Sequence, residues 1–266
     1  MAAPVNTALP AITGTVEFGE ILTLSDGTWD DPAATFAYAW LRAGTLITGA
    51  DASTYTITRA DIGYTLVGRV TATNIDGSTV ADSAATVAVP STLIVEDGTE
   101  VANADAYATL VYIADYHDKN GNTAWAAITN DATRETYVRR ATAYMLQSYR
   151  QRWKGYRKTA TQSLCWPRSF VYLEPFVHGA VGAYPYLVSD ITVPVEVKNA
   201  CAEYALKSIT ETSLMPDQTQ SVREETIGPI TVKYNEYSSQ ATRYSSVDAM
   251  LSPYLNSSGV SVQLVK

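Results

Sequence analysis

A change of hydrophobic period near residue 90 constrains this 266-residue chain more than any other feature. Up to about Pro90, short runs of Thr, Val, Tyr and Ala are punctuated by Gly14, Gly19, Asp26-Gly27, Gly44, Gly49, Gly63 and Asp76-Gly77. Alternation at period two, broken by turn formers, describes short half-buried strands. Phe36, Tyr38 and Trp40 alternate on one, and Leu66, Gly68, Val70 and Ala72 on another. Asp76-Gly77 is a hairpin signal. From about Val101 the apolar spacing lengthens to that of a helix. The period switch predicts a multidomain chain. Residues 1–90 form an all-β sandwich, and residues 91–256 a mainly α-helical domain with a β-hairpin. Residues 257–266 form an extended C-terminal arm.

Within the second part, Tyr107, Leu110, Val111 and Ala114 follow helical spacing, with Asn103 placed to cap. A second helix starts after Asn130 or Asp131, with Tyr137, Ala141, Tyr144, Met145 and Ser148 on its core face. Arg134, Arg139, Arg140 and Arg150 then fall on its wet faces. A third begins at Pro194, a favourable first helical residue, and buries Val197, Cys201, Tyr204, Ala205 and Ile209. Val222–Tyr234 reads as a hairpin turning at Gly228-Pro229, and Ser246–Leu251 as a short helix. In the tail, Val260, Val262, Leu264 and Val265 form an alternating apolar arm suited to strand addition on a partner or to an edge strand within the chain.

The net charge of −8 is divided unevenly. Residues 1–90 carry three Lys and Arg against nine Asp and Glu, whereas positions 134–168 carry nine cations against Glu135 alone. The resulting basic patch comprises Arg139, Arg140, Arg150, Arg152, Lys154, Arg157 and Lys158, and attracts nucleic acid or an acidic protein surface. Cations interleaved with Tyr149, Trp153 and Tyr156 fit single-strand binding, in which rings stack on bases and charges track phosphates.

Catalysis has little support. His117 and His178 belong to no metal or nucleophile motif, and His117 beside Asp115 and Asp118 reads as a solvated helix end. Glu224-Glu225 reads as a solvated strand face. Cys165 and Cys201 lack Cys-x-x-Cys spacing and read as buried apolar residues. No phosphate-binding loop, cofactor motif or metal-ligand spacing occurs, so a non-enzymatic protein without cofactor is expected. No run of about 18 apolar residues suggests a membrane span. The N-terminus has no secretory pattern, which makes a cytoplasmic place of synthesis the simplest expectation.

Residues 153–168 hold two tryptophans, a proline and several cations. Proline limits the residue before it to extended backbone, so Trp166-Pro167-Arg168 is expected to be defined and to suit docking. Residues 169–193 follow as a long loop rich in aromatics, Gly and Pro. Trp166, Arg168, Phe170, Tyr172, Phe176, Tyr184 and Tyr186 are therefore candidates for a subunit or partner interface.

Two resemblances add to this reading. Gly27-Thr28-Trp29, Tyr38-Ala39-Trp40-Leu41-Arg42, Tyr55-Thr56-Ile57, Asp61-Ile62-Gly63 and Val70-Thr71-Ala72-Thr73-Asn74 resemble an immunoglobulin-like domain of the bacterial and phage type. This implies that Trp40 takes the place of the buried strand-C tryptophan, without the intersheet disulfide. Ala104-Asp105-Ala106-Tyr107, Trp125, Arg139 to Tyr144, Trp153-Lys154-Gly155, Gln162 to Arg168, Ile191 to Pro194 and Gly228-Pro229 resemble the phage family labelled DnaT-like single-stranded DNA-binding protein. The same order is similar to the head-tail adaptors of tailed bacteriophages. That likeness implies a structural virion protein of the neck: a homo-oligomeric ring, a dodecamer, joining the portal protein to a tail or neck completion protein. It also implies an arm embedded in the portal, a basic patch facing portal or packaged DNA, and a β domain facing outward. The alternative is a single-stranded DNA-binding protein of a phage.

Overall fold

The computed structural model describes residues 2–173, 186–211, 213–215, 224–227, 230–233 and 243–256. The chain divides into two compact units, Met1–Thr92 with Ile128–Glu135, and Leu93–Ala127 with Thr136–Lys266.

The first unit is β-rich. Its strands are β1 (Asn6–Ala8), β2 (Ile12–Thr13), β3 (Ile21–Leu24), β4 (Thr28–Trp29), β5 (Thr35–Arg42), β6 (Thr45–Leu46), β7 (Thr54–Thr56), β8 (Leu66–Asn74) and β9 (Gly77–Asp82). They pair as a four-stranded sheet β6-β5-β8-β9, a three-stranded sheet β2-β3-β7 and the pair β1-β4. The longest ladder sets Thr35 opposite Thr73 and runs to Arg42 opposite Leu66. Inward positions of β3, β5 and β8 supply Leu22, Leu24, Trp40, Leu66 and Val70 to a core completed by Ile57, Ile62 and Val89. The Trp40 indole stacks on Tyr55 at 5.4 Å and donates to the Ala52 carbonyl at 2.9 Å. A Cβ on Gly68 would stand 2.5 Å from Leu24 Cδ1, so that strand position must stay bare.

The expected immunoglobulin-like sandwich is corrected to a β-rich unit of separate sheets. β1 and β4 pair only with each other, through a register shift between Asn6 and Ala8. Pro4 and Pro10 flank β1 and lack the backbone donors that would lengthen it.

A buried carboxylate anchors this unit. Asp61 Oδ2 accepts from Thr58 N and Oγ1, both at 2.7 Å, and from Tyr55 Oη at 2.9 Å. Its Oδ1 accepts from Arg42 Nε at 2.7 Å. Burial alone would raise its pKa, but the bonds from Thr58, Arg42 and Tyr55 outweigh that and hold it below the usual carboxylate value. The segment Ile128–Glu135 belongs here too: Tyr64 Oη donates to the Thr129 carbonyl at 2.7 Å, and Arg59 lies 3.3 Å from Glu135.

The second unit contains helices α1 (Leu110–Lys119), α2 (Thr123–Ala126), the continuation of α3 (Asp131–Tyr149), α4 (Val195–Thr210) and α5 (Ser245–Leu251). Two ladders join them, β10 (Tyr156–Arg157) with β11 (Arg168–Ser169), and β12 (Glu224–Ile227) with β13 (Ile230–Lys233). The expected mainly α-helical domain is corrected: helices make up a minority of its described residues. From Arg150 to Leu173 the chain runs as turns around the two-residue β10–β11 ladder, and Gly155 holds a left-handed φ of 62° there.

Helix α1 begins at Leu110, where the Thr109 hydroxyl accepts from Tyr112 N at 3.1 Å. Asn103, expected as the cap, instead holds a left-handed turn at φ 58°. Helix α3 buries Val138, Ala141, Met145 and Tyr149, spaced at three and four residues. Helix α4 buries Val197, Ala200, Cys201, Tyr204, Ala205 and Ser208. His117 is a core residue, against the expectation of a solvated helix end. Its Nε2 lies 3.1 Å from the Ala202 carbonyl and its Nδ1 3.1 Å from the Asn122 amide. The amide donates to Nδ1, so Nε2 carries the proton and donates to Ala202. Burial lowers the His117 pKa.

Candidate nucleic-acid interface

Residues 153–172 owe their shape to one buried arginine. Arg168 is 6% exposed. Its Nε donates to the Lys154 carbonyl at 2.7 Å, Nη2 to Gly155 at 2.7 Å and Nη1 to Cys165 at 3.2 Å. The planar guanidinium thus bridges β10 and β11 and the turn between them. Burial lowers its pKa from the ordinary arginine value. Gln162 closes the same turn: its amide donates to the Leu164 and Pro167 carbonyls, at 2.9 and 3.0 Å, and accepts from Thr159 N at 2.9 Å. Gly155 passes so close to β11 that a Cβ would stand 2.2 Å from the Ser169 carbonyl oxygen.

Beneath this ladder lies an aromatic core. Trp153 and Trp166 meet edge to face at 5.6 Å, and Trp166 meets Tyr254 in the same way at 5.6 Å. Trp166 and Arg168, expected at an interface, are therefore interior, and Tyr149 and Trp153 are equally unable to stack on a base. Tyr149 Oη instead donates to Asp248 at 2.7 Å and lies 2.5 Å from Tyr204 Oη.

The outward positions of the same segment are different. Tyr156 is 73% exposed, Phe170 62%, Tyr172 41% and Tyr186 71%. Pairing brings them onto adjoining strands. Tyr156 faces Ser169, the residue before Phe170. Tyr172 bridges Leu187, and Leu173 N donates to the Tyr186 carbonyl at 3.0 Å. Phe170 holds its exposed ring from a left-handed backbone, φ 60°. That conformation is strained for a residue with a Cβ, and such strain gathers at functional sites. Phe176, Tyr184 and the arm residues Val260, Val262, Leu264 and Val265 lie outside the described residues.

The cations of the basic patch separate into committed and available ones. Arg139 pairs with Asp105 at 2.6 Å and Lys158 with Glu100 at 3.1 Å. Arg152 lies 3.5 Å from Asp248 and 4.9 Å above the Tyr149 ring. Lys154 donates to the Tyr172 and Pro253 carbonyls, at 3.1 and 2.8 Å, which places its charge beside the rings. Among the described residues, Arg140, Arg150, Lys154 and Arg157 have no carboxylate partner. Arg140 and Arg150 are exposed and Lys154 and Arg157 half-buried. The patch is thus smaller than the sequence suggests, and of its available part Lys154 lies beside the rings.

Sequence reasoning missed the exposed apolar residues Leu187, Ile191 and Val195 that continue from Tyr186. Their residue types read as interior, and no local pattern marks them otherwise. Among the described residues no group of His, Cys, Asp and Glu is arranged to hold a metal, and no helix is long and apolar enough to cross a membrane.

The profile of the family described as "Putative DnaT-like ssDNA binding protein" matches residues 91–266. The chain belongs to that family. No curated protein and no solved structure gives a match. The DnaT-like match includes the whole ring-and-cation ladder, while the sheets of the first unit lie outside it.

Proposed function

We propose that the DnaT-like region binds single-stranded DNA without sequence preference. The observation that carries this reading is the set of exposed rings, Tyr156, Phe170, Tyr172 and Tyr186, on paired segments, with the Lys154 ammonium held at the Tyr172 carbonyl beside them. Rings accept any base face, and cations follow the phosphates, so the surface discriminates strandedness rather than sequence. Fluorescence anisotropy of a labelled oligo-dT strand tests it. If three or four cations each neutralise a phosphate, log K falls with log salt at a slope of about −2 to −3. Equal affinity for duplex and single strand, or no binding at low salt, overturns the proposal.

One observation favours a second reading. Leu187, Ile191 and Val195 expose apolar surface beside Tyr186, a composition suited to the core of a protein–protein interface. In this reading the chain is a tailed-phage head-tail adaptor, assembling as a ring between portal and tail or neck proteins, with packaged DNA passing the basic patch. Native mass measurement of the full chain, alone and with portal protein, tests it. A monomer that does not bind portal at any concentration eliminates the adaptor role.

A further inference from the structure

The β10–β11 ladder sets two arginines directly opposite one another, Arg157 and Arg168. Like charges across a ladder repel, and burial removes the water that would screen them. Arg168 is spent on three carbonyls, so its charge is solvated by dipoles and neutralised by no carboxylate among the described residues. Arg157 is half-buried, its side chain makes no hydrogen bond or ion pair with any described residue, and its Nε is enclosed without a partner. Burial pushes the Cys165 thiol pKa up, while the positive charges of Arg168, Arg157 and Arg150 pull it down, so this position is electropositive. The neighbouring acid, Glu100, is already paired with Lys158.

From this geometry we propose that Arg157, with Arg168 holding the ladder beneath, forms a seat for a phosphate group. An uncommitted guanidinium in a partly dry, electropositive site is the arrangement that recognises phosphate oxygens. Side chains alternate along a strand, so Arg157 and Tyr156 address opposite faces of β10. The seat is therefore distinct from the stacking rings. Two sources offer the same chemistry, a backbone phosphate of a bound strand or a separate phosphate-bearing ligand. The first rests on the single-strand reading above; the second does not.

The test is thermal unfolding of the full chain in inorganic phosphate against chloride at matched ionic strength, with oligo-dT binding measured in both. The expected result is a midpoint raised by a few degrees in phosphate, and loss of that rise in Arg157→Gln. Because Arg157→Gln loses no side-chain partner and relieves the repulsion from Arg168, its midpoint in chloride should be at or above that of the wild type, which confirms that the variant folds. Equal phosphate responses in both proteins, or none beyond chloride, overturn the seat. If phosphate competes with oligo-dT and Arg157→Gln lowers the salt slope by about 0.7, the seat holds a backbone phosphate. If phosphate stabilises without competing, the seat takes a separate ligand. A chain that responds to phosphate but binds no oligonucleotide keeps the seat and loses the DNA reading.

Discussion

Replacing Phe170 by glycine and by alanine separates the ring's contribution to stability from its contribution to binding. The ring is 62% exposed, so roughly 60–90 Å² of it is covered, worth about 2 kcal/mol of burial. Against that loss, glycine at φ 60° relieves about 1–2 kcal/mol of left-handed strain, while costing about 0.5–1 kcal/mol in chain entropy. The expected net loss for Phe170→Gly is below about 2 kcal/mol. Alanine loses the same ring but keeps the strain, so Phe170→Ala should be the less stable by about 1 kcal/mol, reversing the usual order of the two residues. If Phe170 stacks on a base, both variants lose about 1–3 kcal/mol of affinity, roughly 5- to 150-fold. Urea unfolding gives the first comparison, and oligo-dT anisotropy at one fixed salt concentration the second. Unchanged affinity in both variants would refute the stacking role. A stability loss above about 4 kcal/mol in both would show that the ring is structural.

Other outcomes follow from the buried polar groups. Arg168→Met should cost about 3–5 kcal/mol in denaturant unfolding, since three carbonyls lose a charged donor, and Arg168→Lys should recover little because one ammonium cannot span them; a loss under about 1 kcal/mol would contradict the bridging role. Asp61→Asn should destabilise the first unit by about 3–5 kcal/mol, leaving Arg42 without its anion. The Asp61 pKa lies below its unfolded value, so its stabilisation is complete above about pH 4 and is lost as pH falls through the folded pKa. In acid titration followed by circular dichroism, Asp61→Asn should remove that part of the loss. The His117 pKa is also lowered, and here the unfolded chain binds the extra proton, so the second unit should weaken as pH falls below about 6.5. His117→Gln should flatten that dependence in hydrogen exchange of α1 and α4 amides, and an unchanged profile would remove His117 as its source.

The period switch near residue 90 is a local property, because alternation at two and spacing at three to four residues are written in neighbouring side chains. The strands around Trp40 and Val70 and the helices carrying Met145 and Cys201 were accordingly legible. So was the concentration of cations and rings between positions 134 and 186. What that concentration amounts to was not legible, since each charge and ring takes its role from partners far along the chain. Asp105 neutralises Arg139 from 34 residues away, and Asp248 approaches Arg152 from 96. Trp153, Trp166 and Tyr149 resemble Tyr156 and Phe170 in composition, yet packing against Tyr254 and Tyr204 takes the first three inside. Arg168 looks like one more surface cation in a basic run; only the return of β11 onto Lys154 and Gly155 makes it an interior bridge. Sequence thus determined which residue types crowd this segment, through local pattern and composition. Tertiary structure decided which of them face water, because burial and charge pairing depend on elements that meet only when the chain has folded.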